Sequence, residues 1–533
     1  MWMSLINFRS LAAWLMPAEH EPPVYPFAPT DVAQLHRLTA PGYGTALDDP
    51  TWRDLLVERY ADSLSGDVSI FGRQVLHRRL RAGAPGDECA MRRERIEQLL
   101  KEPERLDGLH RSLRALRRAD AEVAGVLFDP AWQAPPRPAW LRYAALLPIG
   151  LAASLVAVLW TSWAWLGFAV AMYWLMTLQM RYTERIGPWR GVTHSLRMLL
   201  RAVSLLDGSG QPLAGEFTGL GARAGGLSRS LSRGLVPEAV PDAAAYGDWF
   251  MLANVRHYFK TLHTVAAQRD FLRECYWLCA DLEADLALAR HLRGVSWWCW
   301  ATRGGERALE LEEGVHPLLD GASGLSLALA DKGAFISGQN GVGKSTFLRM
   351  LGLNLVTARA FGFCYARRAV LPALPVVASM QNEDSLLDGH SLYVAELARA
   401  RELLAAAGAG PAVCLVDEIF RGTNHEESVA AASAVLDELA ARSLVVVSSH
   451  NLVLGPLLAH RLAPWRIVRT QDDRLRLEPG VLGQTNGVTL LAQRGFGAAI
   501  QKKAEKVAAW LARQRHGEVD PVLVESELGG NSA

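Results

Sequence analysis

The sequence predicts an α/β P-loop nucleotide-binding domain of the ABC-like ATPase type at the C-terminal end. A mostly α-helical region precedes it and is interrupted by a two-helix transmembrane hairpin. Three observations carry this prediction. From Gly304 onward, short Val-, Ile- and Leu-rich runs alternate with helical patterns, as in "GAFISG", "PVVASM", "AVCLVDE" and "SLVVVSSH"; buried parallel strands read this way. The first of these runs leads into "GQNGVGKST", residues 338–346. Residues 143–180 contain no charged residue.

The N-terminal region, 1–137, reads as mostly helical to about residue 130, where the Pro-rich connector "DPAWQAPPRPAW" begins and runs to Trp140. The opening "MWMSLINFRSLAAWLMP" is apolar but interrupted by Arg9, and has no basic leader or small-residue cleavage site. It reads as no signal peptide, though a membrane-surface amphipathic segment fits it. Residues 138–182 form the predicted hairpin. About 20 apolar residues cross a bilayer, so the uncharged run fits two spans of roughly 18 with a turn near Thr161 and Ser162. Trp160, Trp163 and Trp165 are then expected at the far interface, with Arg142 and Arg181 on the cytoplasmic side. This reading implies a lipid bilayer as partner, an inner-membrane location and both termini in the cytoplasm. The alternative is a helical hairpin buried in a core.

Residues 183–303 continue the helical region. The Gly-rich stretch from Asp207 to Gly247 is expected to be loop-heavy, and "FLRECYWLCADLEADLALARHL", residues 271–292, to be an amphipathic helix. The ATPase domain spans 304–510, and 511–533 read as a disordered tail.

Net charge is +1, so no global charge argues for an anionic partner. Charge is uneven, however: residues 73–118 hold 13 Lys/Arg against 7 Asp/Glu. This stretch is either a solvated helix face or a contact for nucleic acid or anionic lipid. The six cysteines form no CxxC pair, and reduced thiols without a zinc site are expected.

The chemistry lies in the C-terminal half. "GQNGVGKST" fits G-x-x-x-x-G-K-[ST] between a strand and a helix. Gly338, Asn340, Gly341, Gly343, Lys344, Ser345 and Thr346 are therefore the expected nucleotide-binding residues. Their backbone N–H groups curl round the phosphates, and the helix start adds positive potential. Lys344 reaches the β- and γ-phosphates and Ser345 ligates Mg²⁺. In "AVCLVDEIFRGTN", Asp417 is the second expected Mg²⁺ ligand and Glu418 the base that activates water. His450, in "SSHN", is placed to meet the γ-phosphate or that water.

The order and wording of these motifs resemble the MutS family of DNA mismatch-repair ATPases. "GQNGVGKST" is similar to its P-loop, and "DEIFRGTN" to its Asp-Glu-Ile-x-Arg-Gly-Thr motif through Arg421, Gly422 and Thr423. "EEGVHPLL" is similar to its Gly-x-His-Pro motif through Gly314, His316 and Pro317, and "DGHSLYVAEL" to its serine signature through Gly389, Ser391 and Glu396. "QTNGVTLLAQRGFGAAIQKKAEKV" looks like its C-terminal helical segment, and residues 71–100 are weakly similar to its core domain. The resemblance implies ATP and Mg²⁺ as cofactors. It also implies a homodimer in which Ser391 contacts the partner chain's nucleotide in trans, and an association with DNA. Ser391 also reads as the N-cap of the helix that follows. The family's mismatch reader is an N-terminal domain with a Phe-x-Glu wedge; no such motif occurs in a comparable domain here. The expectation is an ATPase engine without that head. Two other classes fit the P-loop: an ABC-type transport ATPase, which requires an LSGGQ-like signature that is lacking, and a membrane scaffold that uses ATP as a conformational ligand.

Overall fold

The computed structural model describes residues 25–40, 46–84, 86–143, 146–233, 247–380, 392–470, 472, 474–482, 487–488 and 495–515. The chain forms two compact units. One, helical, comprises Met1–Gly42 and Arg59–Ser296; the other comprises Trp297–Ala533 together with Tyr43–Glu58.

The helical unit is organised around the helix Arg269–Gly294, which is buried on nearly every face rather than amphipathic. Two of its acids, Glu283 and Asp285, are buried, and Asp281 and Asp285 meet the basic stretch. Arg79, on the helix Ile70–Ala82, donates to Asp285 at 2.7 Å and Asp281 at 2.6 Å. Arg95 donates to Asp285 at 3.1 Å, and Arg78 lies over the Trp277 ring at 5.2 Å. Glu283 accepts from Ser69 N at 3.0 Å and Gly72 N at 3.1 Å. The excess of arginine in residues 73–118 is thus partly neutralised inside the fold, where a buried charge requires a partner.

The transmembrane hairpin is not supported. The first helix, Leu146–Ala157, has 12 residues, about 18 Å at 1.5 Å per residue, against a hydrocarbon core of about 30 Å. The second, Ala164–Asp207, has 44 residues, but its uncharged part is diluted by Trp, Tyr, Gln and Gly before Arg181, Glu184 and Arg185. No helix among the described residues is long and apolar enough to cross a membrane. The expected two-span location and lipid-bilayer partner fall with it. The described part of the Gly-rich stretch, 207–233, also differs from expectation, and residues 234–246 lie outside the described residues. Pro212–Phe217 is a 3₁₀ turn, and Leu220–Leu231 is a helix that buries Ala224, Leu227 and Leu231. Its small residues permit close packing: a Cβ on Gly221 would strike the Asp207 side chain.

In the second unit, a six-stranded sheet carries the site. Its strands are β1 (Gly333–Gly338), β2 (Val376–Ser379), β3 (Val413–Asp417), β4 (Leu444–Ser448), β5 (Leu462–Arg469) and β6 (Leu475–Pro479). The order is β6-β5-β1-β4-β3-β2, parallel except for β6. Strands β1, β3 and β4 are buried along their whole length, as expected of central parallel strands. Helices α1 (Lys344–Phe361), α2 (Leu392–Ala409) and α3 (His425–Arg442) follow β1, β2 and β3 in the chain. A four-stranded sheet of Thr302–Gly304, Arg368–Pro372, Leu309–Gly314 and Leu325–Leu329 completes the unit.

Candidate functional site

Ligands of open α/β sheets bind outside the carboxyl ends of the strands, and the predicted residues gather there. Register places Ser448 opposite both Ile336 and Asp417. The ends of β1, β3 and β4 therefore lie side by side, and the segments leaving them carry Lys344, Glu418 and His450.

The loop after β1 turns through Gly341 at φ 74° and Gly343 at φ 106°. That left-handed backbone suits glycine, and it brings successive N–H groups to the start of α1. Space beside Gly341 is open, which leaves room for phosphate oxygens. Lys344 is 6% exposed; its Nζ donates to Gly338 O at 3.1 Å and Gln339 O at 3.4 Å, and lies 3.5 Å from the His450 ring nitrogens. Burial lowers its pKa, opposed by the charges of Glu418 and Asp417. Ser345 is half-buried, and Asn340 and Thr346 are exposed.

Asp417 ends β3, buried, and accepts from the Ser448 hydroxyl. Glu418 and Phe420 both have positive φ, 54° and 57°, an uncommon backbone for side chains of that size. The turn is anchored by the Glu418 N–H on Ser448 O at 2.9 Å. It presents the Glu418 carboxylate to His450 Nε2 at 2.6 Å and Arg421 Nη1 at 3.4 Å. The hydrogen bond to His450 comes first in holding Glu418 below the usual carboxylate range, with Arg421 and Lys344 adding to it against burial. An ionised carboxylate at this edge is the form a general base requires.

The loop beyond Glu418 packs on α2. Gly422 N donates to Glu396 at 3.2 Å, Arg421 lies 3.7 Å from Glu396, and Tyr393 meets Phe420 edge to face. Asn424 caps α3 by accepting from Glu427 N at 2.9 Å. His316 is buried beside α1, and burial and Arg349 push its pKa down to about 4. The structure thus brings together Gly338, Gly341, Gly343, Lys344, Ser345, Asp417, Glu418 and His450. Ser391, with Gly389, lies outside the described residues.

Two features escaped the sequence reading. Ser448 bonds the Asp417 carboxylate, and nothing separates this serine from others at strand ends. A cleft of about 1030 Å³ lies between residues 321–326 and the β5–β6 hairpin. Leu475 on its wall would lie 3.5 Å from a methyl group placed on Gly343.

Sheet order, strand-edge site and glycine loop define a class, the P-loop nucleotide-binding domain. The comparisons narrow it: residues 334–510 match the family model of MutS domain V. The DNA mismatch repair protein MutS of Thermus aquaticus is 28% identical over 266 residues, 48% of this chain and 32% of that protein. Endonuclease MutS2 of Thermus thermophilus is 38% identical over 237 residues, 42% of this chain and 30% of that one. MutS of Natronomonas pharaonis is 27% identical over 282 residues, covering 50% and 32%. These matches place a MutS domain V in the chain, which spans about a third of the length of these relatives.

Proposed function

We propose that this chain is a MutS-family ATPase that binds ATP with Mg²⁺, hydrolyses it and works as a DNA-associated dimeric switch. The observation that carries the reading is the Glu418 carboxylate, ionised and held by His450 beside Lys344 at the carboxyl edge of the sheet. ATP would supply the phosphoryl group, and Mg²⁺ would neutralise the charge on its phosphates. The backbone N–H groups of 339–344 and the α1 N-terminus hold the phosphates. Lys344, whose amine now bonds carbonyls, is free to turn to the phosphate oxygens. Ser345 and Asp417 hold the cation. Glu418 orients and deprotonates water, and His450 keeps that carboxylate aimed and charged.

DNA as partner rests on the names of the relatives. The dimer rests on the family resemblance, with Ser391 acting in trans. The test is Mg²⁺-dependent ATP turnover by the full chain against Glu418→Gln. The variant is expected to keep nucleotide affinity and to lose turnover by roughly a hundredfold or more, because the phosphate cradle survives and the base does not. Equal turnover in both removes Glu418 from the mechanism.

A further inference from the structure

A strap of the chain, Tyr43–Glu58, belongs to the ATPase unit although the residues on both sides of it belong to the helical one. Its short helix, Asp49–Asp54, is capped by Asp48, which accepts from Thr51 N at 2.7 Å. The strap lies along β2, the edge strand of the sheet. Outward N–H groups of an edge strand need partners when buried. Here Thr51 Oγ1 accepts from Ala378 N at 2.9 Å, and Asp54 Oδ2 accepts from Met380 N at 2.7 Å. Leu55, fully buried, sits where a Cβ on Gly352 of α1 would be, within 2.4 Å.

The strap is also joined to α2. Arg399, 5% exposed, donates to Asp48 Oδ2 at 2.7 Å and Oδ1 at 3.3 Å, and to Thr51 Oγ1 at 3.2 Å. Its Nε meets Ala378 O at 3.2 Å. Glu396, three residues earlier on α2 and so on a neighbouring face, holds Gly422 N and Arg421, and Arg421 reaches Glu418. Polar contacts therefore join the strap to α2 at Arg399 and, one helical turn earlier, join α2 at Glu396 to Arg421 and the proposed base, with the rigid turn of α2 between them.

We infer that Asp48 and Arg399 are positioning residues for hydrolysis, which fix α2, and through Glu396 and Arg421 fix Glu418, from a strap whose ends run into the helical unit. The inference rests on the ATPase reading above. The strap is continuous in sequence with the helical unit on both sides, so these contacts tie a segment flanked by that unit to the hydrolytic carboxylate. A strap with a structural role alone, covering a sheet edge, leaves turnover per folded molecule unchanged.

The test uses the full chain with Asp48→Asn, Arg399→Gln and both together. Asparagine still caps a helix, so the first variant removes the ion pair and keeps the strap helix. Turnover at saturating Mg-ATP is expected to fall about tenfold in each single variant, with the dissociation constant of a non-hydrolysable ATP analogue held within about twofold. The double variant falls no further than Arg399→Gln alone, because Asp48→Asn removes a contact that Arg399→Gln has already removed. Wild-type turnover in Asp48→Asn, or a parallel loss of analogue affinity, overturns the inference. Glu418→Gln is the separating control. If it is slow while Asp48→Asn is not, the strap inference alone fails; if it equals wild type, the ATPase reading fails with it.

Discussion

Arg79 in the helical unit and Lys344 in the ATPase unit are nearly equally hidden, 2% and 6% exposed, yet their surroundings differ in kind. Arg79 is enclosed by Asp281 and Asp285; burial opposes its charge, but the two carboxylates outweigh burial and its pKa rises. Lys344 donates to main-chain carbonyls, and burial lowers its pKa. A buried cation with its counter-charges in place is finished structure. A buried cation resting on neutral carbonyls, beside an open glycine turn, is prepared for an anion from outside.

The largest expected effect breaks the first half of this contrast. Arg79→Ala leaves Asp285, fully buried, with the longer hydrogen bond from Arg95 and the charge of Arg92 nearby. Removing one partner of a buried pair costs about 3–5 kcal/mol. Urea unfolding followed in the helical unit should show that loss. A change below about 1 kcal/mol would mean that water reaches the pair and that Arg79 is not structural.

The contrast also explains what could be read from the sequence. The P-loop, Asp417, Glu418 and His450 stand in short local motifs, because a phosphate cradle needs consecutive backbone groups. Arg79 and Asp285 lie 206 residues apart, and nothing local marks them as partners; the same arginines read as surface charge. The strap was invisible for that reason, since Asp48 finds Arg399 across 351 residues. The uncharged run at 143–180 misled differently. Absence of charge is not hydropathy: the first helix is only 12 residues long and the second runs on into charged residues.

Histidines give a smaller, pH-dependent separation of the two units. Burial, with Arg81, His36 and Arg37, pushes His77 down to about 3; His316 in the ATPase unit is pushed down to about 4. Both are neutral when folded, and the unfolded chain binds the proton more readily. Their contributions are therefore whole above the ordinary pKa of 6.5 and are lost as pH falls through the folded values. Each protonating histidine tilts stability by at most about 1.4 kcal/mol per pH unit. His77→Gln should flatten the acid slope of the helical unit and leave that of the ATPase unit, read by amide exchange in each unit between pH 7 and 5. An unchanged slope would show that His77 is already charged in the fold.

The smallest stability effect is expected at Lys344, and it is the most telling. Lys344→Met keeps an unbranched side chain of similar length and removes the charge. The carbonyls of Gly338 and Gln339 lose a donor, which costs about 1 kcal/mol. Against that, a desolvated ammonium no longer has to be held among main-chain groups, a gain of the same order. Thermal unfolding should therefore move by little in either direction. Nucleotide binding should not survive, because the β- and γ-phosphates lose the charge that meets them. The two variants together decide the comparison: Arg79→Ala loses stability and Lys344→Met loses ligand. If Lys344→Met instead unfolds as easily as Arg79→Ala, the lysine is a structural cation like its counterpart, and the glycine turn beside it is not a cradle kept open for phosphate.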